Sequence, residues 1–193
     1  MTVTTPRGAN TLNIRPTSTA PVGVVGVLAS DSTRPSLHIC NMGWAGATAA
    51  TWADTSAPWS ASNFLRAFPH DLAIVNLCIN DWNGGAGLPV FRSNYGKIVS
   101  ALKSVGTRDQ ILCGGLPSNP AQAGIAPIAV QAQYTKAVQA MADGYRCGFV
   151  DFTRRMGSWA EANAIGWTVD ALHYTSAAYS DAARSIANPL TNL

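Results

Sequence analysis

Asp71-Leu72-Ala73-Ile74-Val75-Asn76-Leu77-Cys78 decides the fold. A short, almost continuous apolar run reads as a strand buried on both faces, and such strands belong to parallel sheets. Gln110-Ile111-Leu112-Cys113 and Gly148 to Asp151 read the same way. Between the strands lie segments of helical period. Val90 to Val105 places Phe91, Tyr95, Ile98, Val99 and Leu102 on one face, and Ile128 to Asp143 and Ser176 to Ala187 follow. Ser60 to Phe68 and a segment opening at Gly46 also read as helical. Alternating strands and helices predict an α/β domain over residues 37–193, with helices on both faces of a parallel sheet. Right-handed crossovers then put its chemistry at the C-terminal ends of the strands. Leu37-His38-Ile39-Cys40 is expected to be the first strand of this domain.

Residues 1–36 differ. Asn10-Thr11-Leu12-Asn13-Ile14-Arg15 alternates polar with apolar, and Val22 to Leu28 is a second β-prone run, so a short antiparallel β segment is expected here. Of the 193 residues, 47% are hydrophobic and 12% charged, which implies a neutral surface of Ser, Thr, Asn, Gln and Gly. A net charge of +3 without a Lys/Arg run gives no electrostatic case for nucleic acid. No apolar stretch reaches membrane-span length, and the N-terminus lacks the apolar core of a signal peptide. If the protein leaves its cell, lysis, another export route or inclusion in a particle is the expected way. Cys40, Cys78, Cys113 and Cys147 lie at strand ends without a C-x-x-C pair, so they read as reduced, buried thiols rather than metal ligands.

Three turns carry candidate chemistry, each placed at a strand end. Asn41-Met42-Gly43-Trp44-Ala45-Gly46 follows Cys40, Asn80-Asp81 follows the decisive strand, and Asp170-Ala171-Leu172-His173 precedes the last helix. At i,i+3 spacing the Asp170 carboxylate can accept from one imidazole nitrogen of His173 while the other faces substrate. A glycine N–H at Gly43 and the side-chain amide of Asn80 can together face a developing oxyanion. Singly, these are ordinary features: a flexible glycine turn, a helix cap, a surface Asp beside a half-buried His. Their order and placement argue for a site.

The turns resemble those of the SGNH, or GDSL-type, hydrolases, on Asn41/Gly43/Gly46, Asn80/Asp81 and Asp170/His173 over roughly residues 37–193. The resemblance implies a flavodoxin-like three-layer sheet. It also implies an ester hydrolase in which Gly43 and Asn80 are oxyanion donors, His173 is the base and Asp170 its orienter. No metal or other cofactor is expected. Cys78 stands where that pattern carries a glycine. The pattern's nucleophile, the serine of a Gly-Asp-Ser motif, is absent from the sequence. Ser32, in Ser30-Asp31-Ser32-Thr33, is the nearest candidate, but it leaves about five residues before Leu37, and a parallel crossover needs about a dozen.

Some members of the family in phages and actinobacteria carry a β-sandwich between the serine strand and the Asn-x-Gly turn, and residues 10–36 resemble the end of such an insert. The chain then reads as the C-terminal part of a hydrolase. An empty slot between Leu37–Cys40 and Asp71–Cys78 would orphan two rows of backbone groups. Either Val22–Leu28 fills it in some irregular way or, as is expected here, a second polypeptide supplies the first strand and the serine. The expected substrate is acylated carbohydrate, with Trp44, Trp52, Trp59, Trp82 and Trp167 suited either to sugar stacking or to core packing. The alternative is a non-catalytic carbohydrate-binding or structural component of a particle such as a phage virion. A nucleotide-binding domain is disfavoured, since no phosphate-cradling glycine motif is present.

Overall fold

The computed structural model describes residues 4–6, 8–15, 17, 19, 31, 33–34, 37–57, 60–66 and 70–191. The chain divides into two compact units, Met1–Gly43 and Trp44–Leu193. The run Val22 to Leu28, Ser32 and Trp59 lie outside the described residues.

In the second unit, β1 (Leu72–Asn76), β2 (Asp109–Cys113) and β3 (Gly148–Val150) form a parallel sheet in the order β1-β2-β3. Leu72 lies opposite Asp109 and Asn76 opposite Cys113, and Ile111 to Cys113 pair with Gly148 to Val150. This is the α/β architecture that the alternating pattern predicts.

The connecting helices form because their apolar residues repeat at helical spacing. α4 (Leu88–Ser104) starts behind Gly87 with a proline in its first turn, where a missing N–H costs nothing. It buries Phe91, Tyr95, Ile98, Val99 and Leu102. These pack against α5 (Ile128–Tyr145), with the rings of Phe91 and Tyr134 4.8 Å apart. Tyr95 also donates its hydroxyl to the Val75 carbonyl at 3.0 Å, tying α4 to β1. A second cluster joins Cys113, Leu116, Phe152, Met156, Ala162, Tyr174, Ala178 and Ala182. It unites the end of β2 with α6 (Phe152–Met156), α7 (Trp159–Ala164) and α8 (Ser176–Thr191). Truncating a fully buried member such as Leu102 to alanine costs about 2–5 kcal/mol.

Two expectations fail. Leu37–Cys40 is not a strand: Leu37 and Ile39 are 88% and 85% exposed, and Cys40 is exposed rather than buried. The sheet of the described residues is made of β1, β2 and β3 and does not include them, and a short apolar run by itself does not make a strand. Asn10–Arg15 is likewise irregular and exposed, so the antiparallel segment is not seen in the part of it that is described. The sequence reading also missed the short helices α3 (Ile79–Asn83), α6 and α7, and it placed Asn80 and Asp81 in a turn.

Candidate active site

The site residues of the second unit lie where β1 and β2 end. After Asn76 the chain turns through Cys78, whose φ of 123° and ψ of −49° are unusual for a residue with a side chain, and enters α3. α3 carries Asn80 and Asp81 and is stapled to the loop ahead of α1 (Ala49–Ala53). Asn80 Nδ2 donates to the Ala47 carbonyl at 3.0 Å, and both Asp81 oxygens accept from the Ala49 N–H, at 3.0 and 3.2 Å. Asp81 is buried, and that burial raises its carboxyl above the ordinary range while the Ala49 N–H offsets part of the shift. One N–H of the Asn80 amide remains for another acceptor, and the residue is exposed.

β2 runs out through Gly114 and Gly115, and α3 packs directly on this exit. A Cβ at Gly115 would strike the Trp82 ring and come within 3.0 Å of the Cys78 Cβ. The same exit loop holds the last turn. Tyr174 donates its hydroxyl to the Pro117 carbonyl at 2.7 Å, and the Asn119 N–H donates to Ala171 at 2.9 Å. Asn80 and the Asp170–His173 turn therefore sit on elements that pack against one loop.

Within the turn, both carboxylate oxygens of Asp170 are hydrogen-bonded. Oδ1 accepts the N–H groups of Leu172 (2.8 Å) and His173 (2.7 Å), and Oδ2 lies 2.8 Å from His173 Nδ1. A carboxylate accepts only, so Nδ1 carries the proton and Nε2 is left as the basic nitrogen. The imidazole bond first, and then the two backbone donors, hold Asp170 down to about 2. The pair stays open to solvent, with side chains 69% (His173) and 54% (Asp170) exposed. An antiparallel bridge between Thr168 and Tyr174 closes the loop, and Trp159 Nε1 donates to the Asp170 carbonyl at 3.1 Å. Trp159 was not among the residues singled out from sequence. Its hydrogen bond spans eleven positions and has no spacing signature, although Ser158-x-x-Glu161 marks the start of its helix.

Gly43 belongs to the N-terminal unit, where its N–H donates to Asn41 Oδ1 at 2.9 Å. Of the tryptophans, Trp82 is buried edge-on to Tyr134 and Trp167 is packed beside the second cluster. Trp52 is half-buried, and Trp44 is exposed. The thiols near α3 are unsuited to nucleophilic attack: burial pushes Cys78 well up and Cys113 to about 12, so both stay protonated at neutral pH. Among the described residues, no group of three His, Cys, Asp or Glu could hold a metal ion, and no helix is long and apolar enough to cross a membrane.

Residues 19–180 match the GDSL-like lipase/acylhydrolase family. The chain belongs to that family. It is a family of ester-hydrolysing enzymes, in agreement with the resemblance carried by the three turns. No curated protein matches the chain in sequence. Among solved structures, a peptidoglycan O-acetylesterase superposes with a TM-score of 0.62 at 18% identity, over 76% of this chain and 44% of that one. A lipase/acylhydrolase from Enterococcus faecalis gives 0.53 at 15% identity, over 63% and 62% of the two chains. A catalytic histidine-to-alanine mutant of an acetylxylan esterase from Geobacillus stearothermophilus gives 0.54 at 18% identity, over 73% and 66%. These similarities establish the fold. The chain spans less than half the length of the peptidoglycan O-acetylesterase.

Proposed function

We propose that this chain supplies the base and an oxyanion donor of a serine ester hydrolase that removes acetyl groups from polysaccharide. The serine and the strand bearing it come from a second polypeptide. The observation that carries the reading is the Asp170–His173 pair, with Oδ2 2.8 Å from Nδ1 and the opposite ring nitrogen facing solvent. Family membership supports the reaction class. The printed names of two similar structures, a peptidoglycan O-acetylesterase and an acetylxylan esterase, support the substrate class.

Among the described residues β1 is an edge of the sheet, which supports the partner strand. Parallel strands are ordinarily covered, yet β1 leaves Ile74 49% and Leu72 36% exposed. An incoming strand beside β1 would pair its outer backbone groups and would end close to Asn80.

In the proposed reaction the serine Oγ attacks the acetyl carbonyl as His173 Nε2 takes its proton, and Asp170 stabilises the imidazolium. The free N–H of the Asn80 amide meets the oxyanion. Collapse breaks the ester bond, and His173 returns the proton to the departing sugar hydroxyl. Water, deprotonated by the same nitrogen, then attacks the acetyl-serine and releases acetate.

The test is labelling with a fluorophosphonate probe, on the purified chain and on the assembly from which it is isolated, followed by peptide mapping. An adduct on another polypeptide, abolished by His173→Ala in this chain, is the expected result. An adduct on Ser32 would overturn the donated serine. No adduct in either sample, with retained binding of acetylated polysaccharide, would replace hydrolysis with binding.

A further inference from the structure

We infer that Trp159 is a positioning residue for the Asp170–His173 pair, an assignment that rests on the ester-hydrolase reading above. The Asp170 carboxylate is committed entirely within its own turn, to two backbone N–H groups and to the imidazole. Its direction therefore follows the backbone of residue 170. The other anchors grip the inner side of the turn: Asn119 holds the Ala171 carbonyl, and the buried Tyr174 holds Pro117. Among the described residues, the hydrogen bond from Trp159 Nε1 to the Asp170 carbonyl is the one that reaches Asp170 from another element.

The donor itself is well fixed. Trp159 is the first residue of α7, immediately behind a reciprocal capping box. The Ser158 N–H donates to Glu161 Oε2 at 2.6 Å, and the Glu161 N–H donates to Ser158 Oγ at 3.2 Å. One turn further on, Ala162 is fully buried in the cluster that includes Tyr174. The indole thus links a capped helix end to the backbone of the orienting carboxylate. When it lets go, Asp170 can swing while the body of the turn stays docked. The imidazole then loses its partner without loss of fold.

Trp159→Phe keeps the ring and removes the N–H. The variant and its parent, each with the serine-bearing partner if labelling shows one is needed, are assayed on 4-nitrophenyl acetate. Their proton spectra are compared at the far-downfield Nδ1–H resonance of His173, assigned by its loss in His173→Gln. The expected result is a fall in kcat of about tenfold with KM within about twofold, since small displacements of catalytic groups carry penalties of this order. The Nδ1–H resonance should move upfield or broaden away, with the melting temperature within about 2 °C of the parent. An unchanged kcat with an unchanged resonance overturns the assignment. So does a fall in kcat that comes with a lower melting temperature and an intact resonance, because that describes a structural tryptophan. If the parent shows no turnover in any assembly, the hydrolase reading fails, and the resonance alone decides whether Trp159 holds the pair.

Discussion

The turn at Cys78 offers a sharp test of the backbone that presents Asn80. With φ at 123°, a residue bearing a Cβ is strained by about 1–3 kcal/mol, whereas glycine adopts such values freely. Cys78→Ala and Cys78→Gly both remove the buried thiol and its contact with the Gly115 N–H, so these losses cancel in a comparison of the two variants. What remains is strain, relieved only by glycine, set against the extra freedom of unfolded glycine, worth about 0.4–1 kcal/mol, and the buried methyl that only alanine keeps, worth about 0.8 kcal/mol. The balance favours Cys78→Gly by up to about 1 kcal/mol. At an ordinary position alanine is the more stable of the two. For a domain of this size, about 1 kcal/mol corresponds to roughly 2–4 °C in melting temperature. Thermal and urea denaturation followed by circular dichroism would read it, with equal m-values confirming a shared denatured state. If Cys78→Ala melts at or above Cys78→Gly, the strain argument is refuted. The substitution is also an apt one, because Cys78 occupies the place where the family pattern carries glycine.

Other outcomes follow from the same geometry. Asn80→Ala should lower kcat about a hundredfold with little change in KM, measured on an activated acetyl ester, because one oxyanion donor contributes about 3 kcal/mol. Asp81→Ala should destabilise by about 1–3 kcal/mol in urea melts, since it leaves the buried Ala49 N–H without an acceptor. Tyr174→Phe should cost about 1–2 kcal/mol by orphaning the Pro117 carbonyl. The Asp170 carboxyl is held down to about 2, below its unfolded value, so its contribution is present above the ordinary carboxylate range and fades only as pH falls towards 2. Carbon-detected titration of Asp170 should show no transition near 4, and a midpoint there would refute the hydrogen-bond geometry of the turn.

The legible parts of this chain were those whose signal is repeated. α4 and α5 announce themselves over four or more turns, and β1 and β2 by short apolar runs, although β1 leaves Leu72 and Ile74 exposed. Asp170 and His173 were legible because a three-residue separation within one turn almost dictates their meeting. Leu37–Cys40 looked equally strand-like, but a strand is a property of a pair, and four residues cannot state whether a neighbour is present. α3 is only five residues long and owes its place to contacts made by Asn80, Asp81 and Trp82 with distant segments, so local sequence suggested no more than a turn. Asp81 looked like a cap. In the fold it is a buried acceptor for Ala49, thirty-two positions away. Trp159 could be placed near the site only once Asp170 had a backbone position to be held in.

The strand order β1-β2-β3 also has a consequence for biosynthesis. Each strand pairs with the one made just before it, and the two crossovers are of similar length. The sheet can therefore extend on one side as the polypeptide emerges, without reopening earlier pairs. The Asp170–His173 turn docks last, against a loop already fixed at the end of β2. A nascent chain interrupted between Val150 and Thr168 could thus hold all three strands and still lack the proposed base. Synthesis would complete the sheet before it delivers the pair to which the proposed hydrolysis assigns the proton transfer.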